Sequence, residues 1–367
     1  MVKYAVIFRV VDANLNRATE GLRVLEEMAR MVLNNGALSL KIKNLRHSLA
    51  VTAPSFNSEL LGGRDAAGDV GANITVSGQG SNDFVGLIIA NSKRTREALR
   101  VLEELSKMSE VSSSLLTETF RDARFTLYDI EKKLYADITR IEKIKLLSGL
   151  YAVVDTGMLQ AYDCNQLALL LIDGGVKVIQ LRAKELTRKE VYPIACSLKE
   201  LCREKEVLFI INDYLDVALA VGADGLHIGQ ADLPASEARR LLPLNSILGV
   251  SVRTTEEALA AEKDGADYLG CGAVFATTTK QDASVIGLEG ISNIRAVTKL
   301  PLVAIGGINE SNLTATMNAG ADSVCIISAI VKDAAPKEAT RRIINIIKKP
   351  ARRRSAMLWP PGQELLR

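Results

Sequence analysis

A strand-like segment in the second half of the chain carries three polar side chains at alternate positions. In the segment QLRAK these are Gln180, Arg182 and Lys184. Alternate side chains of an extended strand point to the same face, so one amide and two cations would converge there. That combination suits a phosphate or diphosphate group. A surface cluster of salt bridges would give the same pattern, and both interpretations stay open at this point.

Carboxylates follow the next two apolar runs. Asn212 and Asp213 end the run in IIND, and Asp232 lies in HIGQADLP. Mg²⁺ binds one or two protein carboxylates together with phosphate oxygens and water. Each aspartate could instead cap the helix that follows it, but capping does not explain why both stand beside a cationic cluster. We therefore predict a Mg²⁺ site here, and we expect the nearby His227 to be a hydrogen-bonded core residue.

A second group of polar residues comes later in the chain. The segment FATTTK contributes Thr277, Thr279 and Lys280, whose hydroxyl and ammonium groups could hold a second anion. The pair of glycines that ends at Gly307 permits close backbone approach. Ser328 begins a further helical stretch, whose free N–H groups favour an anion. A simple turn is the alternative interpretation of FATTTK.

The elements that would position these residues alternate regularly. Eight short apolar runs, each followed by a helical stretch, predict a (β/α)₈ TIM barrel, with a doubly wound open sheet as the alternative. In a barrel the polar residues at the strand ends would meet at one mouth. We find no Cys–His or Ser–His–Asp arrangement, so metal-assisted loss of pyrophosphate fits best. The runs are GLYAVVD, VIQLR, LFIIN, GLHIG, ILGVSV, YLGCGAVF, LVAIGGI and SVCIIS.

The first half contains an internal duplication. The segment NLNRATEGLRVLEEMAR begins at Asn14, and NSKRTREALRVLEELSK begins at Asn91. Apolar residues recur every three or four positions, which predicts amphipathic helices. Asp12 or Asn14 is expected to cap the first of them. Similar segments around Arg46 and Arg121 follow each repeat, so the repeated unit is predicted to be a pair of helices in a mainly α-helical domain.

A glycine-rich segment, GGRDAAGDVG, lies between the two repeats. It places Arg64, Asp65 and Asp69 among glycines whose backbone amides could hold a phosphate. No G-x-x-x-x-G-K-[ST] motif occurs in the chain, so a nucleotide-binding P-loop is not expected. From these residues alone, the first half could be a structural or dimerising module or a second active site.

The second half resembles thiamine phosphate synthases, whose motifs occur here in the same order as QLRAK, IND, HIGQADLP, GVSV, FATTTK, AIGGIN and IISAI. That family joins hydroxymethylpyrimidine diphosphate to a thiazole phosphate and releases pyrophosphate. The resemblance implies that the pyrimidine diphosphate is held by Gln180, Arg182, Lys184, Asn212, Ser251 and Lys280. It implies that Asp213 and Asp232 hold one Mg²⁺, and that Thr277, Thr279, Gly307, Ile327 and Ser328 hold the thiazole phosphate. Lys280, Ser251 and Arg182 are the implied catalytic residues, and Ala276 stands where the family commonly has proline.

The first half is similar to a small helical domain found joined to such synthases, through RVVDANLNRATEGLRVLEEMAR, LRHSL, GRDAAGDVG and FRDARFTLYDIEKKL. That domain is associated with the phosphorylation of hydroxymethylpyrimidine phosphate by ATP. The implied candidates are Asn14, Arg17, Arg23, Arg46, His47, Arg64, Asp65 and Asp69. Two alternatives remain: a non-catalytic helical module joined to a synthase, and a regulatory barrel that binds thiazole phosphate without turnover.

Length and composition bound these interpretations. The 367 residues suit two domains, which we place at 1–136 and 149–348, with a linker at 137–148 and a disordered tail at 349–367. The net charge of +3 gives no case for nucleic acid or a membrane surface as partner, and small phosphorylated molecules are expected instead. The five cysteines show no CxxC spacing, which is typical of reduced thiols in the cytosol. We recognise no apolar membrane segment and no signal peptide, so we expect a soluble cytoplasmic protein. Homo-oligomerisation is left open.

Overall fold

The computed structural model describes residues 2–51, 60, 83–108, 117–159, 161–277 and 284–351. The chain forms two compact units, Met1–Thr139 and Arg140–Arg367. Within the described ranges, no helix is both long enough and apolar enough to cross a membrane. The five cysteines all lie in these ranges and are free thiols.

The first unit is helical, as the sequence predicted. Its helices are α1 (Val2–Glu27), which continues into a π-helical turn (Met28–Val32), α2 (Gly36–Val51), α3 (Phe84–Leu105) and α4 (Thr117–Lys145). The apolar positions of α1 are buried in a core shared with the other three helices, with Ala18, Leu22 and Leu25 fully inaccessible to solvent. The 3.6-residue periodicity therefore identified the buried face correctly.

The beginning of α1 differs from the sequence prediction. The helix starts at Val2, so neither Asp12 nor Asn14 caps it. Asn14 lies in the middle of the helix, where its side-chain amide donates to the Val10 carbonyl at 2.8 Å. The preceding residues are rich in β-branched types, which disfavour helix locally, but burial of Ile7 and Val11 in the core outweighs that preference.

The second unit is a closed barrel of eight parallel strands in the order β1 to β8, with β8 paired to β1. This confirms the TIM barrel and rules out the open sheet. The strands are β1 (Gly149–Asp155), β2 (Val178–Arg182), β3 (Leu208–Asn212), β4 (Gly225–Ile228), β5 (Ile247–Val252), β6 (Tyr268–Gly272), β7 (Leu302–Ile305) and β8 (Ser323–Cys325).

Helices cover the outside of the barrel, and a short 3₁₀ turn (Thr156–Met158) follows β1. Apolar side chains that point outward from the strands pack against these helices in one continuous core. The helices are α5 (Cys164–Asp173), α6 (Arg188–Glu204), α7 (Leu215–Val221), α8 (Ala235–Leu241), α9 (Thr255–Lys263), α10 (Gly287–Val297), α11 (Leu313–Asn318), α12 (Ser328–Val331) and α13 (Pro336–Ala351).

Residues 140–148, which belong to the second unit, cover the amino-terminal ends of the barrel strands. Residues 137–148, expected to be a linker, form the last turns of α4 and the turn before β1. Leu147 is 1% exposed and packs with the first residues of β2, β3 and β5. Lys143 Nζ lies 3.3 Å from Asp224 Oδ1, and Arg140 Nε lies 3.5 Å from Asp267 Oδ1.

Candidate active site

A cavity of about 420 Å³ opens at the carboxyl ends of the strands. Its position matches the mouth at which TIM-barrel enzymes carry their active sites. Thr279 and Lys280 lie outside the described residues. Every other residue assigned to the barrel site from the sequence lines this cavity: Gln180, Arg182, Lys184, Asn212, Asp213, Asp232, Ser251, Thr277, Gly307, Ile327 and Ser328.

Arg182 is held in place by a carboxylate that sequence reasoning missed. Its guanidinium forms an ion pair with Asp155, the last residue of β1, which is only 4% exposed. The two residues are direct partners in the β1–β2 register. Asp155 also accepts a hydrogen bond from the Gly157 amide at 3.1 Å. Asp155 therefore fixes the direction of the Arg182 side chain at the cavity wall.

The two predicted metal-binding aspartates do not cap helices. Tyr214 and Pro234 occupy the caps of α7 and α8, without side-chain cap bonds. Asp213 has φ +62°, in the left-handed region, and its carboxylate Oδ2 lies 3.2 Å from Lys184 Nζ. Asp232 Oδ2 accepts a hydrogen bond from the Gly229 amide at 2.7 Å. The capping interpretation is therefore not supported, and both carboxylates face the cavity.

Burial raises the pKa of the Asp213 carboxyl, and its hydrogen bonding with and repulsion by Asp232 raise the pKa further, against the opposing effect of Lys184. Two crowded carboxylates of this kind gain stability from a shared cation. In the part of the chain that the structure describes, no group of three or more His, Cys, Asp or Glu could hold a metal ion. The two carboxylates of Asp213 and Asp232 are a donor set that would fit an ion such as Mg²⁺, which needs few protein ligands and completes its shell with phosphate and water.

A chain of hydrogen bonds runs along the cavity wall. Gln180 Nε2 donates to Tyr151 Oη at 2.8 Å, and Tyr151 Oη lies 2.9 Å from Tyr268 Oη. Tyr268 Oη lies 3.1 Å from His227 Nδ1, and His227 Nε2 lies 2.9 Å from Ser251 Oγ. His227 is hydrogen-bonded, as expected, but it also lines the cavity. Its removal from water lowers its pKa to about 4, so the ring is neutral near neutral pH.

In the opposite wall, the backbone at Gly306 and Gly307 lies close to the backbone of residues 273–276. Gly306 and Gly307 have φ +101° and +64°. A Cβ atom on Gly307 would lie 2.6 Å from the Ala276 carbonyl oxygen, so only glycine fits between β7 and the segment that leads to Thr277. Ser328 begins α12, as predicted from the sequence. This wall therefore brings Thr277, Gly307 and Ser328 to the same cavity.

The helical unit brings together two of its candidate residues. Glu26 is 4% exposed, and its carboxylate lies 3.3 Å from Arg23 and 3.1 Å from Arg46. Arg17 and His47 are exposed on the helix surfaces. Asn14 is buried and bonds within its own helix, so it does not join this group. Arg64, Asp65 and Asp69 lie outside the described residues.

The duplication repeats this arrangement in the second helix pair. Glu103 is 5% exposed and lies 3.2 Å from Arg100 and 3.1 Å from Arg124. The sequence comparison matched Arg46 to Arg121, but the structure places Arg124 at the equivalent position. Arg121 instead pairs with neighbouring carboxylates on its own exposed face. The two halves of the unit therefore each contain a buried glutamate held by two arginines.

Comparisons with known proteins cover both units. Residues 150–330 match the family model described as thiamine monophosphate synthase, and residues 9–133 match the ThiD2 family. The thiamine-phosphate synthase of Synechocystis sp. is 38% identical over 92% of this chain and 95% of its own length. That of Rhodopirellula baltica is 35% identical over 88% of each chain. The solved thiamine phosphate pyrophosphorylase from Pyrococcus furiosus is 40% identical, with a TM-score of 0.52, over 56% of this chain and 98% of that chain.

Proposed function

The chain belongs to the thiamine-phosphate synthase family, and we propose that its barrel joins hydroxymethylpyrimidine diphosphate to a thiazole phosphate and releases pyrophosphate. One observation supports this most directly. A single cavity combines a wall carrying Arg182, Lys184 and the Asp213–Asp232 pair with a second wall at Gly307 and Ser328. Two phosphorylated substrates can thus lie in one cavity, each with its own polar wall.

The first wall suits the diphosphate. Arg182 and Lys184 supply positive charge, and Lys280 is proposed as a third cation. Mg²⁺ held by Asp213 and Asp232 would supply further charge to stabilise the departing diphosphate. Because Asp155 holds the Arg182 side chain in place, the protein has to reorganise little as negative charge develops on the leaving group.

The second wall suits the thiazole phosphate, with Thr277, Thr279, Gly307, Ile327 and Ser328 as its proposed contacts. The carbon–oxygen bond to the diphosphate breaks, and its electron pair leaves with pyrophosphate. The electron-rich pyrimidine stabilises the positive charge left on the exocyclic carbon. The lone pair of the thiazole nitrogen then forms the new carbon–nitrogen bond to that carbon.

The test is steady-state turnover of the full chain with both substrates and Mg²⁺, following thiamine phosphate and pyrophosphate. We expect both products in equal amounts. Lys280→Ala should lower kcat more than it raises the KM for thiazole phosphate, whereas the exposed Lys189→Ala should behave as wild type. A selective rise in that KM would instead place Lys280 at the thiazole phosphate, and binding of both substrates without product would favour a regulatory barrel.

We further propose that the helical unit phosphorylates hydroxymethylpyrimidine phosphate to the diphosphate, with ATP as the phosphate donor. The match of residues 9–133 to the ThiD2 family supports this proposal. The chemistry does so too, because the product of this step would be the substrate of the barrel. Arg23, Arg46 and the segment containing Arg64, Asp65 and Asp69 are the proposed phosphate-binding residues.

This second activity is tested with the full chain, hydroxymethylpyrimidine phosphate, ATP and Mg²⁺, in the absence of thiazole phosphate. Phosphorus NMR should show the diphosphate accumulating as ATP is consumed. Arg46→Ala should reduce that rate, while the synthase rate with supplied diphosphate should be retained. If the full chain forms no diphosphate but still makes thiamine phosphate from supplied diphosphate, the helical unit is a non-catalytic module.

A further inference from the structure

The hydrogen-bond chain from Gln180 to Ser251 has a direction. A phenol carries one hydrogen, and a neutral imidazole has one donor and one acceptor nitrogen. Because the Gln180 amide donates to Tyr151, the Tyr151 hydrogen can be given to Tyr268. Tyr268 then donates to His227 Nδ1, which leaves the ring hydrogen on Nε2, facing Ser251.

The reverse direction leaves a hydrogen unused. Tyr151 would then accept from both Gln180 and Tyr268, and its own hydrogen would have no acceptor among the residues of this hydrogen-bonded series. Tyr151 is 2% exposed and Tyr268 is fully buried, so water does not readily replace a missing partner. A buried donor without a partner is unfavourable, so the first direction is strongly favoured.

We propose that Tyr151, Tyr268 and His227 are positioning residues that fix Ser251 as a hydrogen-bond donor toward the cavity. Ser251 Oγ accepts the hydrogen of His227 Nε2, so its own hydrogen is free for a ligand. The ligand atom that takes this hydrogen is an acceptor. At the other end, one N–H of the Gln180 amide is donated to Tyr151, and the carbonyl oxygen of the same amide can accept from a ligand donor.

This pattern selects one form of the pyrimidine. A 4-aminopyrimidine offers an amino donor and ring-nitrogen acceptors, whereas the 4-oxo analogue offers a carbonyl acceptor and a ring N–H donor. Gln180 and Ser251 match the first set and oppose the second. Mismatched polar groups in an enclosed site lower affinity strongly, because they lose water without gaining a partner. The inference rests on the proposed function, since it takes the aminopyrimidine diphosphate as the ligand of the barrel.

The tautomer of His227 tests the direction without any turnover. The chain has two histidines, so protein labelled with ¹⁵N in the imidazole gives two ring systems, and His47→Gln identifies the other one. We expect full-length protein at neutral pH to show His227 as the neutral ring with its hydrogen on Nε2. A hydrogen on Nδ1, or exchange between both neutral forms, would overturn the proposal even if the enzyme makes thiamine phosphate.

A pair of variants tests the consequence for catalysis. In His227→Gln, the amide can still accept from Tyr268 and donate to Ser251, whereas His227→Leu can do neither. We expect kcat and the preference for amino over oxo pyrimidine diphosphate to fall about tenfold further in His227→Leu than in His227→Gln. The KM for thiazole phosphate should stay equal in the two variants. Equal losses in both would reduce the role of His227 to packing, and absence of product from wild type would count against the proposed function instead.

Discussion

The barrel cavity and the helical unit use buried carboxylates in opposite ways. In the helical unit, Glu26 and Glu103 are each held by two arginines, so their charge is balanced within the fold. In the cavity, Asp213 is crowded by Asp232, and burial raises its pKa. Charge matched within the fold stabilises a structure, whereas two crowded carboxylates beside Lys184 carry negative charge that a bound cation could offset. We therefore expect Glu26 and Glu103 to contribute to stability, and Asp213 and Asp232 to contribute to ligand binding.

The largest effect is expected at the cavity carboxylate. Asp213→Asn preserves shape but removes a charge that we propose binds Mg²⁺. Thiamine phosphate formation at saturating substrates should fall by at least about 100-fold, because several kcal/mol of charge stabilisation is lost. A steady-state assay across Mg²⁺ concentrations measures this. Asp216→Asn, a nearby exposed carboxylate, serves as the control and should behave as wild type; undiminished activity of Asp213→Asn would remove Asp213 from the metal site.

The helical-unit carboxylates should affect stability rather than synthase turnover. Glu26→Gln and Glu103→Gln each remove the charged partner of one largely covered arginine, Arg46 or Arg124, whereas Arg23 and Arg100 keep their ion pairs with Glu27 and Glu104. We expect each substitution to lower the free energy of unfolding by about 1–3 kcal/mol. Because the two arrangements are equivalent, the two losses should be similar. Thermal and urea unfolding of the full chain, with the exposed Glu20→Gln as control, measure this. A large loss for only one of the two would show that the halves are not equivalent.

A smaller effect is expected at the second wall of the cavity. In Gly307→Ala the new Cβ would meet the Ala276 oxygen at 2.6 Å and displace the segment that carries Thr277. The KM for thiazole phosphate should rise about tenfold, as for the loss of one well-placed contact. Gly287→Ala is a matched control, because Gly287 has a similar φ of +68° but nothing within 4 Å of the added atom. Equal KM values in the two variants would contradict this assignment.

The smallest effect concerns the stability of the metal-free protein. The folded state raises the pKa of Asp213, so it binds more protons than the unfolded chain between the two pKa values. Stability therefore falls as the pH rises through that range, and Asp213→Asn should be slightly more stable than wild type at pH 7 in EDTA. Thermal unfolding should show this gain disappearing below the ordinary aspartate pKa. A variant less stable than wild type at pH 7 would mean that the Lys184 ion pair dominates.

The regular features of the fold were accessible from the sequence, because periodicity alone marks them. Eight apolar runs gave the eight strands, and the repeated apolar stripe gave the helix faces. Asp155 was missed because its pairing with Arg182 depends on the β1–β2 register. Tyr151 and Tyr268 resemble ordinary core aromatics in sequence, and only the closed barrel brings their hydroxyls together.

The errors in the helical unit have a similar cause. The first three turns of α1 were not predicted, because their β-branched residues disfavour a helix locally. Burial of Ile7 and Val11 stabilises these turns. The sequence alignment placed Arg121 opposite Arg46, but Arg124 is the residue that reaches Glu103. A helical surface rotates by about 100° per residue, so an alignment error of a few positions changes which side chain faces the core.

We propose that one chain performs two consecutive steps in separate units. The most direct measurement follows full-length Asp213→Asn with hydroxymethylpyrimidine phosphate, ATP, Mg²⁺ and thiazole phosphate by phosphorus NMR, beside wild type. The account predicts thiamine phosphate from wild type, and hydroxymethylpyrimidine diphosphate accumulating without thiamine phosphate in the variant. If neither protein forms the diphosphate, while wild type still makes thiamine phosphate from supplied diphosphate, the two-step account is contradicted.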